Sequence, residues 1–428
     1  MSKSEFAFVS SIFTLGGFIG ALSAGPVSGR RGRLLVMRVA AVASILGSSL
    51  EALAGHLSII ILGRFLSGIG AGMSLVVAPL YISEVAPPES KGLFGATTQI
   101  AINIGILLTL TLGYFFSHGW KWRLILAAGG GIAVVQAFAL HFVAESPAWL
   151  AANRDSDRAV CLLQRIRGRD VDLQAEIQDW STIKTETCDP ELETLLDAQG
   201  YGPQTGSRGS RPTQQIGFLE VARNPLYRPA LIAVVGIMIT QQLTGINSVM
   251  MYSVTLLSTF FPTTSTLLTI LLSLINLLTT ILCAPLPDSL GRKPTLLLSI
   301  SGMGFSSLCL AFAMIFNLKI LTGLSALGFV AAFGVGLGAI PFILASELVD
   351  REASAATQSW GLAANWIATF AVAQFCPMVN EWLNERFGGA GWVFFVFAAL
   401  AVLAVGFVGW WVPETRGRGN ADEVWGRK

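Results

Sequence analysis

Apolar residues dominate eleven runs along this chain, and each run is about 20 residues or longer. The runs cover residues 5–25, 35–54, 57–81, 92–117, 123–143, 229–260, 264–286, 294–316, 318–345, 357–380 and 391–412. A helix needs about 20 mostly apolar residues to cross the hydrocarbon core of a bilayer. The pattern therefore predicts eleven membrane-spanning helices.

A polar segment, from Ala144 to Arg228, separates the fifth run from the sixth. Helical spacing after Asp155 or Asp157 predicts short helices in its first part, and residues 185–210, rich in Gly, Ser, Thr and Asp, predict a flexible linker. The predicted units are an N-terminal bundle of five spans, a cytosolic helical and linker segment, a C-terminal bundle of six spans and a short cytosolic tail, at residues 1–143, 144–228, 229–412 and 413–428.

The composition agrees with a membrane protein, because hydrophobic residues make up 53% of the chain and charged residues only 13%. Soluble domains carry about 25% charged residues. The net charge of +2 gives no reason to expect a nucleic acid or another acidic partner. The five cysteines have no metal-binding spacing, and we predict no metal, no cofactor and no enzymatic activity.

Basic loops orient the predicted spans, since short loops rich in Lys and Arg face the cytosol. The basic residues follow the first span, the seventh span and the last span: Arg30, Arg31, Arg33, Arg38, Arg292, Lys293, Arg416 and Arg418. The loop at 118–123, with Lys121 and Arg123, argues mildly against this orientation. We expect the long polar segment and the C-terminus to be cytosolic, in a plasma, vacuolar or other internal membrane.

Three short patterns occur once in each half of the chain and in the same order. The pairs are GPVSGRRGRL with APLPDSLGRK, ISEV with ASEL, and ESP with PET. Two spans precede the GRK loop of the second half, but only one precedes the GRRGR loop of the first. We therefore expect that Met1 is not the start of the functional protein, and that the missing helix would leave the polar surface around Gln99 exposed to lipid.

Six motifs in a fixed order give the chain a family resemblance. They are GRFLSGIGAGM, PLYISEVAPPESKG, ESPAWL, QQLTGINSVMMYS, DSLGRK and PETRG. The chain resembles the sugar porter family of the major facilitator superfamily, apparently without that family's first transmembrane helix. The resemblance implies an all-α integral membrane protein with two pseudo-symmetric helical bundles, here with eleven spans arranged as five and six.

Polar side chains interrupt the sixth apolar run, where residues 240–252 read TQQLTGINSVMMY. Side-chain amides have no hydrogen-bond partners in hydrocarbon, so Gln241, Gln242 and Asn247 must meet something polar. Thr244 and Gly245 favour a local break that would bring the three amides together. Such amides can bind sugar hydroxyls without a buried charge, or they can hold helices together.

The resemblance extends this site to Gln99 and Asn276, which match the family's other sugar-contacting amides, and to Trp366, which matches its aromatic wall. Phe342 stands where many hexose facilitators have a tryptophan, and Met238 stands where a glutamine is common. These departures argue against a standard glucose preference.

The resemblance also implies a gating network of cytosolic charges that pair across the two halves when the protein is open outward. Its members are Arg33, Glu84, Glu145, Asp288, Arg292, Glu347 and Glu414. Gly29 and Ala148 replace an aspartate and an arginine of the family pattern. The loss of these charges predicts that the cytosolic ends of the two halves are held together less strongly. The alternative is a set of ordinary solvated loop charges.

The resemblance implies transport of a monosaccharide, with a hexose as the first expectation, by alternating access as a facilitator or a proton symporter. The expected partners are the sugar, the bilayer and, for a symporter, protons. The alternatives are a sugar sensor that does not transport and an inactive truncated transporter. Sensors of this type usually carry a long cytosolic tail, and the chain ends soon after Pro413, which favours transport.

Overall fold

The computed structural model describes residues 3–87, 90–153, 156–168, 216–250, 265–418 and 421–426. The linker predicted at residues 185–210 lies outside these ranges. In the described part every regular element is a helix. The helices are α1 Lys3–Arg31, α2 Arg33–Leu53, α3 Leu57–Val85, α4 Lys91–Phe116, α5 Trp122–Ala139, α6 Pro147–Ala152, α7 Ser156–Arg167, α8 Phe218–Arg223, α9 Arg228–Leu243, α10 Ser265–Cys283, α11 Leu286–Leu290, α12 Arg292–Ile315, α13 Lys319–Val335, α14 Ile340–Glu347, α15 Arg351–Phe387, α16 Val393–Trp411 and α17 Ala421–Trp425.

Eleven helical stretches are long and apolar enough to cross a membrane, which agrees with the eleven predicted spans. Five lie in α1–α5, here called the first half, and six lie in α9–α16, here called the second half. The halves meet along two seams, one between α1 and α15 and one between α4 and α10. These two seams position the polar side chains described below.

Glycines of the GRFLSGIGAGM motif bring the backbones of the first half into contact. A Cβ on Gly68 or Gly72 would clash with the backbone carbonyl oxygens of Phe13 and Gly17 on α1. A Cβ on Gly70 would clash with Ser44 on α2. Small residues at alternate positions therefore pack α3 against both neighbours, as is common between membrane helices.

Two of the spans are broken near their middle. The chain turns at Thr244 and Gly245 after α9, and helix resumes at Ile246, as the sequence predicts. Gly245 adopts a φ of 94°, which favours glycine, and its Cα faces the ring of Phe397. The second break, at residues 336–339, separates α13 from α14.

Ser299 of α12 holds the second break in place. Its hydroxyl donates to the carbonyl oxygen of Ala332 at 2.7 Å and accepts from the backbone N–H of Leu337 at 2.9 Å. The hydroxyl thus satisfies a carbonyl oxygen before the turn and an N–H within it. A broken helix is tolerated at membrane depth only when such partners exist.

The polar segment packs helices beneath one end of the bundle. Trp149 of α6 donates to the carbonyl oxygen of Gly29 at 2.8 Å, and Arg167 of α7 donates to Val85 at 2.8 Å at the end of α3. Phe218 of α8 stacks on Trp360 of α15 with ring centroids 4.4 Å apart. These contacts agree with the short helices predicted there.

Tyr227 lies at the same end, just before α9. Burial raises the pKa of its hydroxyl to about 12, and the nearby carboxylates of Asp350 and Glu352 add to this effect. The hydroxyl therefore stays neutral at physiological pH and can hydrogen-bond to Asp350, which precedes α15.

The glycine contacts give a stability prediction. Replacing Gly72 by valine should lower the melting temperature of the detergent-solubilised protein, because overpacking costs about 1–3 kcal/mol. Gly105→Val on α4 is the matched control, since a Cβ at that position would meet nothing within 4 Å. Equal melting temperatures for the two variants would contradict the close approach of α1 and α3.

Candidate functional site

Four amides and a threonine form a hydrogen-bonded network in the second half. We call this the second-half cluster: Gln241, Gln242, Asn247, Asn365 and Thr369. Asn247 donates to Gln242 Oε1 at 2.6 Å, although the two residues are five positions apart, because the break at residues 244 and 245 brings them together. The sequence thus predicted the meeting of the three amides of this motif.

Asn365 of α15 is the hub of the second-half cluster. Its Nδ2 donates to Gln241 Oε1 at 2.8 Å and to the carbonyl oxygen of Met238 at 3.0 Å, and its Oδ1 accepts from Gln242 at 3.2 Å. Sequence reasoning singled out only its neighbour Trp366. An asparagine inside an apolar span was the available signal for Asn365.

A second network joins the two halves at the α4–α10 seam. We call it the interface cluster: Gln99 and Asn103 of α4, and Asn276 and Thr280 of α10. Asn103 Oδ1 accepts from Gln99 at 3.0 Å and from Asn276 at 3.2 Å, and its Nδ2 donates to Thr280 at 2.9 Å. Gln99 and Asn276 were predicted from the resemblance. Asn103, one helical turn after Gln99, was not.

The two clusters approach each other at the break between α13 and α14. Gln241 Nε2 donates to the carbonyl oxygen of Leu337 at 2.8 Å and lies 3.4 Å from that of Gly338. On its other side Gly338 faces Gln99, where a Cβ would lie 3.1 Å from the Gln99 side chain. One residue of the broken span therefore separates the amides of the second half from those at the interface.

Gln99 is buried in this arrangement, with 5% of its surface exposed. The expectation that the surface around Gln99 would be open to lipid was therefore wrong. The side chain points to Asn103 and the helix break.

Trp366 reaches from the second half into the first. Its ring lies against Gly17 of α1 and meets the ring of Phe13 edge-on, with centroids 5.8 Å apart. The indole N–H is buried and has no protein partner. Phe342 lies elsewhere, in a cleft lined by Pro79, Gly95 and Glu347 among others. The two predicted aromatic residues thus line different spaces.

The first half carries a buried charge set where α1 meets α2. Arg33 forms a bidentate pair with Glu84, with distances of 3.0 and 2.6 Å, and donates to the carbonyl oxygen of Ser28 at 2.9 Å. The carboxylate of Glu145 accepts from the backbone N–H of Arg33 at 2.9 Å. Only 1% of the Arg33 side chain is exposed.

The second half repeats this set almost atom for atom. Arg292 forms a bidentate pair with Glu347, with distances of 3.1 and 2.8 Å, and donates to the carbonyl oxygen of Pro287 at 3.1 Å. Glu414 accepts from the backbone N–H of Arg292 at 2.9 Å. The equivalence agrees with the internal repeat found in the sequence, and both sets lie at one end of the bundle, called the charged end below.

These arginine–glutamate pairs lie within a half rather than across the halves, which differs from the pairing that the resemblance implied. Of the seven charged residues that the resemblance singled out, Asp288 makes a contact across the halves. It accepts from the backbone N–H of Leu93 in the first turn of α4 at 3.0 Å and lies 3.0 Å from Arg292. At the other seam, Gly25 of α1 donates to the hydroxyl of Ser359 on α15 at 2.8 Å.

Glu51 is a buried carboxylate within α2 and belongs to neither cluster. It accepts from Ser67 at 2.8 Å and lies 3.6 Å from Arg64, whose side chain is 40% exposed. The pair satisfies an intramembrane charge that would be costly alone.

Comparison with known proteins identifies the family. Residues 2–424 match the family described as sugar (and other) transporter. The probable metabolite transport protein YBR241C of Saccharomyces cerevisiae is 32% identical over 426 residues, which cover 99% of this chain and 83% of the yeast protein.

Solved structures show the same fold. The proton:xylose symporter XylE bound to 6-bromo-6-deoxy-D-glucose matches with a TM-score of 0.82 and 26% identity, over 100% of this chain and 90% of that chain. An inward open conformation of XylE from E. coli matches with a TM-score of 0.69 and 25% identity, over the same shares of the two chains.

The family match covers nearly the whole chain, and the fold with eleven candidate spans is that of the major facilitator superfamily. Members of this family transport solutes and are not enzymes. The chain therefore belongs to the sugar (and other) transporter family, and it is a multi-pass membrane protein.

Proposed function

We propose that this protein carries a monosaccharide, with a hexose as the first candidate, across its membrane by alternating access, as a facilitator or a proton symporter. The observation that carries the proposal is that both amide clusters lie against the break between α13 and α14, one on each side of it. XylE, a proton:xylose symporter, is solved with a bromodeoxyglucose.

The chemistry of both clusters suits a sugar. A monosaccharide loses several hydrogen bonds on leaving water, and side-chain amides can replace them without the cost of a buried charge. The buried groups without a protein partner include the side-chain oxygen of Asn276, in the interface cluster, and the indole N–H of Trp366, next to Asn365 of the second-half cluster. We assign these two groups to sugar contacts, together with Gln99, Gln241, Gln242 and Asn247, and the ring of Trp366 to the apolar face of the sugar.

Phe342 belongs to the path between the site and the charged end. It lines the cleft between α3, α4 and α14 together with Glu347. An aromatic side chain there offers a stacking surface to a sugar that leaves the site on that side. Phe342 keeps the aromatic ring of the tryptophan found in many hexose facilitators, and stacking on a sugar does not need the indole N–H that it lacks.

Alternating access requires the halves to separate at one end while they close at the other. The crossing contacts of Asp288 and Ser359 hold the charged end together. The chain also matches sugar-analogue-bound XylE better than inward open XylE. We therefore assign the charged end to the cytosol, closed in this conformation, with residues 144–228 and 413–428 on that side and the 1–143 and 229–412 bundles as the moving units.

In this scheme the two charge sets keep the charged end of each half rigid. Arg33 with Glu84 and Glu145, and Arg292 with Glu347 and Glu414, each fix a loop to the end of a span. Asp288 connects the charge set of the second half to α4 of the first half. No aspartate equivalent exists in the first half, because Gly29 occupies that position.

The direct test is uptake of radiolabelled sugars by cells that lack their own hexose carriers, with and without a proton gradient. Saturable uptake of at least one monosaccharide is expected. Stimulation by an inward proton gradient would identify a symporter, and insensitivity would identify a facilitator. Sugar binding without any uptake would contradict the transport proposal and favour a sensor.

Asn247→Ala should weaken sugar binding by about 1–3 kcal/mol, because a bound hydroxyl would lose its partner. Membrane abundance should stay the same, since Asn247 lies at the half-buried edge of the second-half cluster. Gln241→Ala should weaken binding and also lower stability, because Gln241 satisfies the carbonyl oxygen of Leu337. Apparent affinity and abundance are measured together.

The matched control for these variants is Gln136→Ala, which removes an exposed amide of α5. If both cluster variants lost abundance while sugar affinity stayed unchanged, the amides would hold helices together and would not bind substrate.

Asp288→Asn should shift the population towards the inward-facing state, because the contact with Leu93 on α4 loses its charge and the favourable interaction with the helix N-terminus. Reaction of single cysteines with a cytosolic thiol reagent should become faster at positions between the halves. Glu84→Gln, whose pair lies within the first half, should have a smaller effect. Equal reactivity in wild type and Asp288→Asn would remove the gating role.

A further inference from the structure

The interface cluster has a fixed hydrogen-bond direction that begins at Thr280. The hydroxyl of Thr280 donates its hydrogen to the carbonyl oxygen of Asn276 at 2.8 Å. The hydroxyl oxygen of Thr280 lies 2.9 Å from Asn103 Nδ2. Because its hydrogen is already used, this oxygen can only accept from Asn103, and Asn103 must present its NH2 group. Backbone geometry and one hydroxyl therefore decide which way the Asn103 amide points.

This orientation passes on to the other two amides. With its NH2 group on Thr280, Asn103 turns its oxygen towards Gln99 and Asn276, at 3.0 and 3.2 Å. An oxygen accepts only from donors, so both of these residues commit their NH2 groups to Asn103. Each NH2 group carries two hydrogens and gives one of them to Asn103, so Gln99 and Asn276 each keep one N–H and the whole side-chain oxygen for a ligand. The Asn276 oxygen is buried and has no protein partner.

We propose that Asn103 is a specificity-determining residue that makes the α4–α10 face of the site accept hydrogen bonds more readily than it donates them, because it occupies one N–H of Gln99 and one of Asn276 and leaves their side-chain oxygens open. The inference rests on the proposed sugar site. Asn103 itself is 1% exposed and spends both of its polar groups within the cluster, so it acts through Gln99 and Asn276. The substrate group favoured on this face is therefore a hydroxyl that donates its hydrogen.

The consequence can be measured because fluorine resembles a hydroxyl in size but carries no hydrogen to donate. On the α4–α10 face a deoxyfluoro sugar should bind little better than the corresponding deoxy sugar, roughly ten- to a hundredfold weaker than the parent. In Asn103→Leu the N–H groups of Gln99 and Asn276 that Asn103 occupies are released. The fluoro analogue should then bind about three- to tenfold better than the deoxy analogue at that position.

The experiment uses the full chain in cells that lack their own hexose carriers. Inhibition of radiolabelled D-glucose or D-xylose uptake is measured with each monodeoxy and monodeoxyfluoro analogue of those two sugars. Only the position that faces α4 and α10 should change its fluoro preference in Asn103→Leu. The remaining positions provide an internal reference. The matched control is Gln136→Leu, which removes an exposed amide of α5 outside both clusters.

A second variant keeps the test possible if Asn103→Leu inserts poorly into the membrane. Thr280→Val keeps the shape of the side chain but removes the oxygen that orients Asn103, and it should relax the fluoro discrimination at the same position. An unchanged preference for hydroxyl over fluorine in both variants, with uptake intact, would overturn the role of Asn103 alone. No saturable uptake of either sugar by wild type would count against the proposed substrates and this inference together.

Discussion

A polar group inside a membrane-spanning helix needs a hydrogen-bond partner from the protein or from a bound ligand, because hydrocarbon offers none. The broken span between α13 and α14 shows how this constraint organises the molecule. The break frees backbone groups, and Ser299 and Gln241 satisfy them from two other helices. Gln241 in turn requires Asn365. Hydrogen bonds thus connect the second-half cluster to the break between α13 and α14.

At the charged end the buried groups that need partners are charged side chains. Arg33 and Arg292 are almost fully buried, and each is satisfied by a bidentate glutamate and a backbone carbonyl. Burying a guanidinium is tolerated only with such complete pairing. The duplication of the chain preserved this arrangement in both halves. It did not preserve the crossing contact, since Asp288 has glycine as its counterpart.

Local patterns in the sequence predicted the features that depend on neighbouring residues. Apolar runs predicted the spans, and Thr244 with Gly245 predicted the break beside the amides. The sequence did not predict which distant residues complete the polar networks. Asn103 and Thr280 are 177 positions apart, so their contact depends on how the halves pack. The burial of Gln99 was missed for the same reason.

The interface cluster also bears on the ionic state of its ligand. The side-chain oxygens that Gln99 and Asn276 leave available attract hydrogen-bond donors and repel negative charge. A sugar that has been phosphorylated, or oxidised to an acid, carries an anionic group at neutral pH. In the proposed sugar site these oxygens would favour neutral sugars over such anionic products, and a cell that phosphorylated a transported sugar would thereby hold it on one side of the membrane.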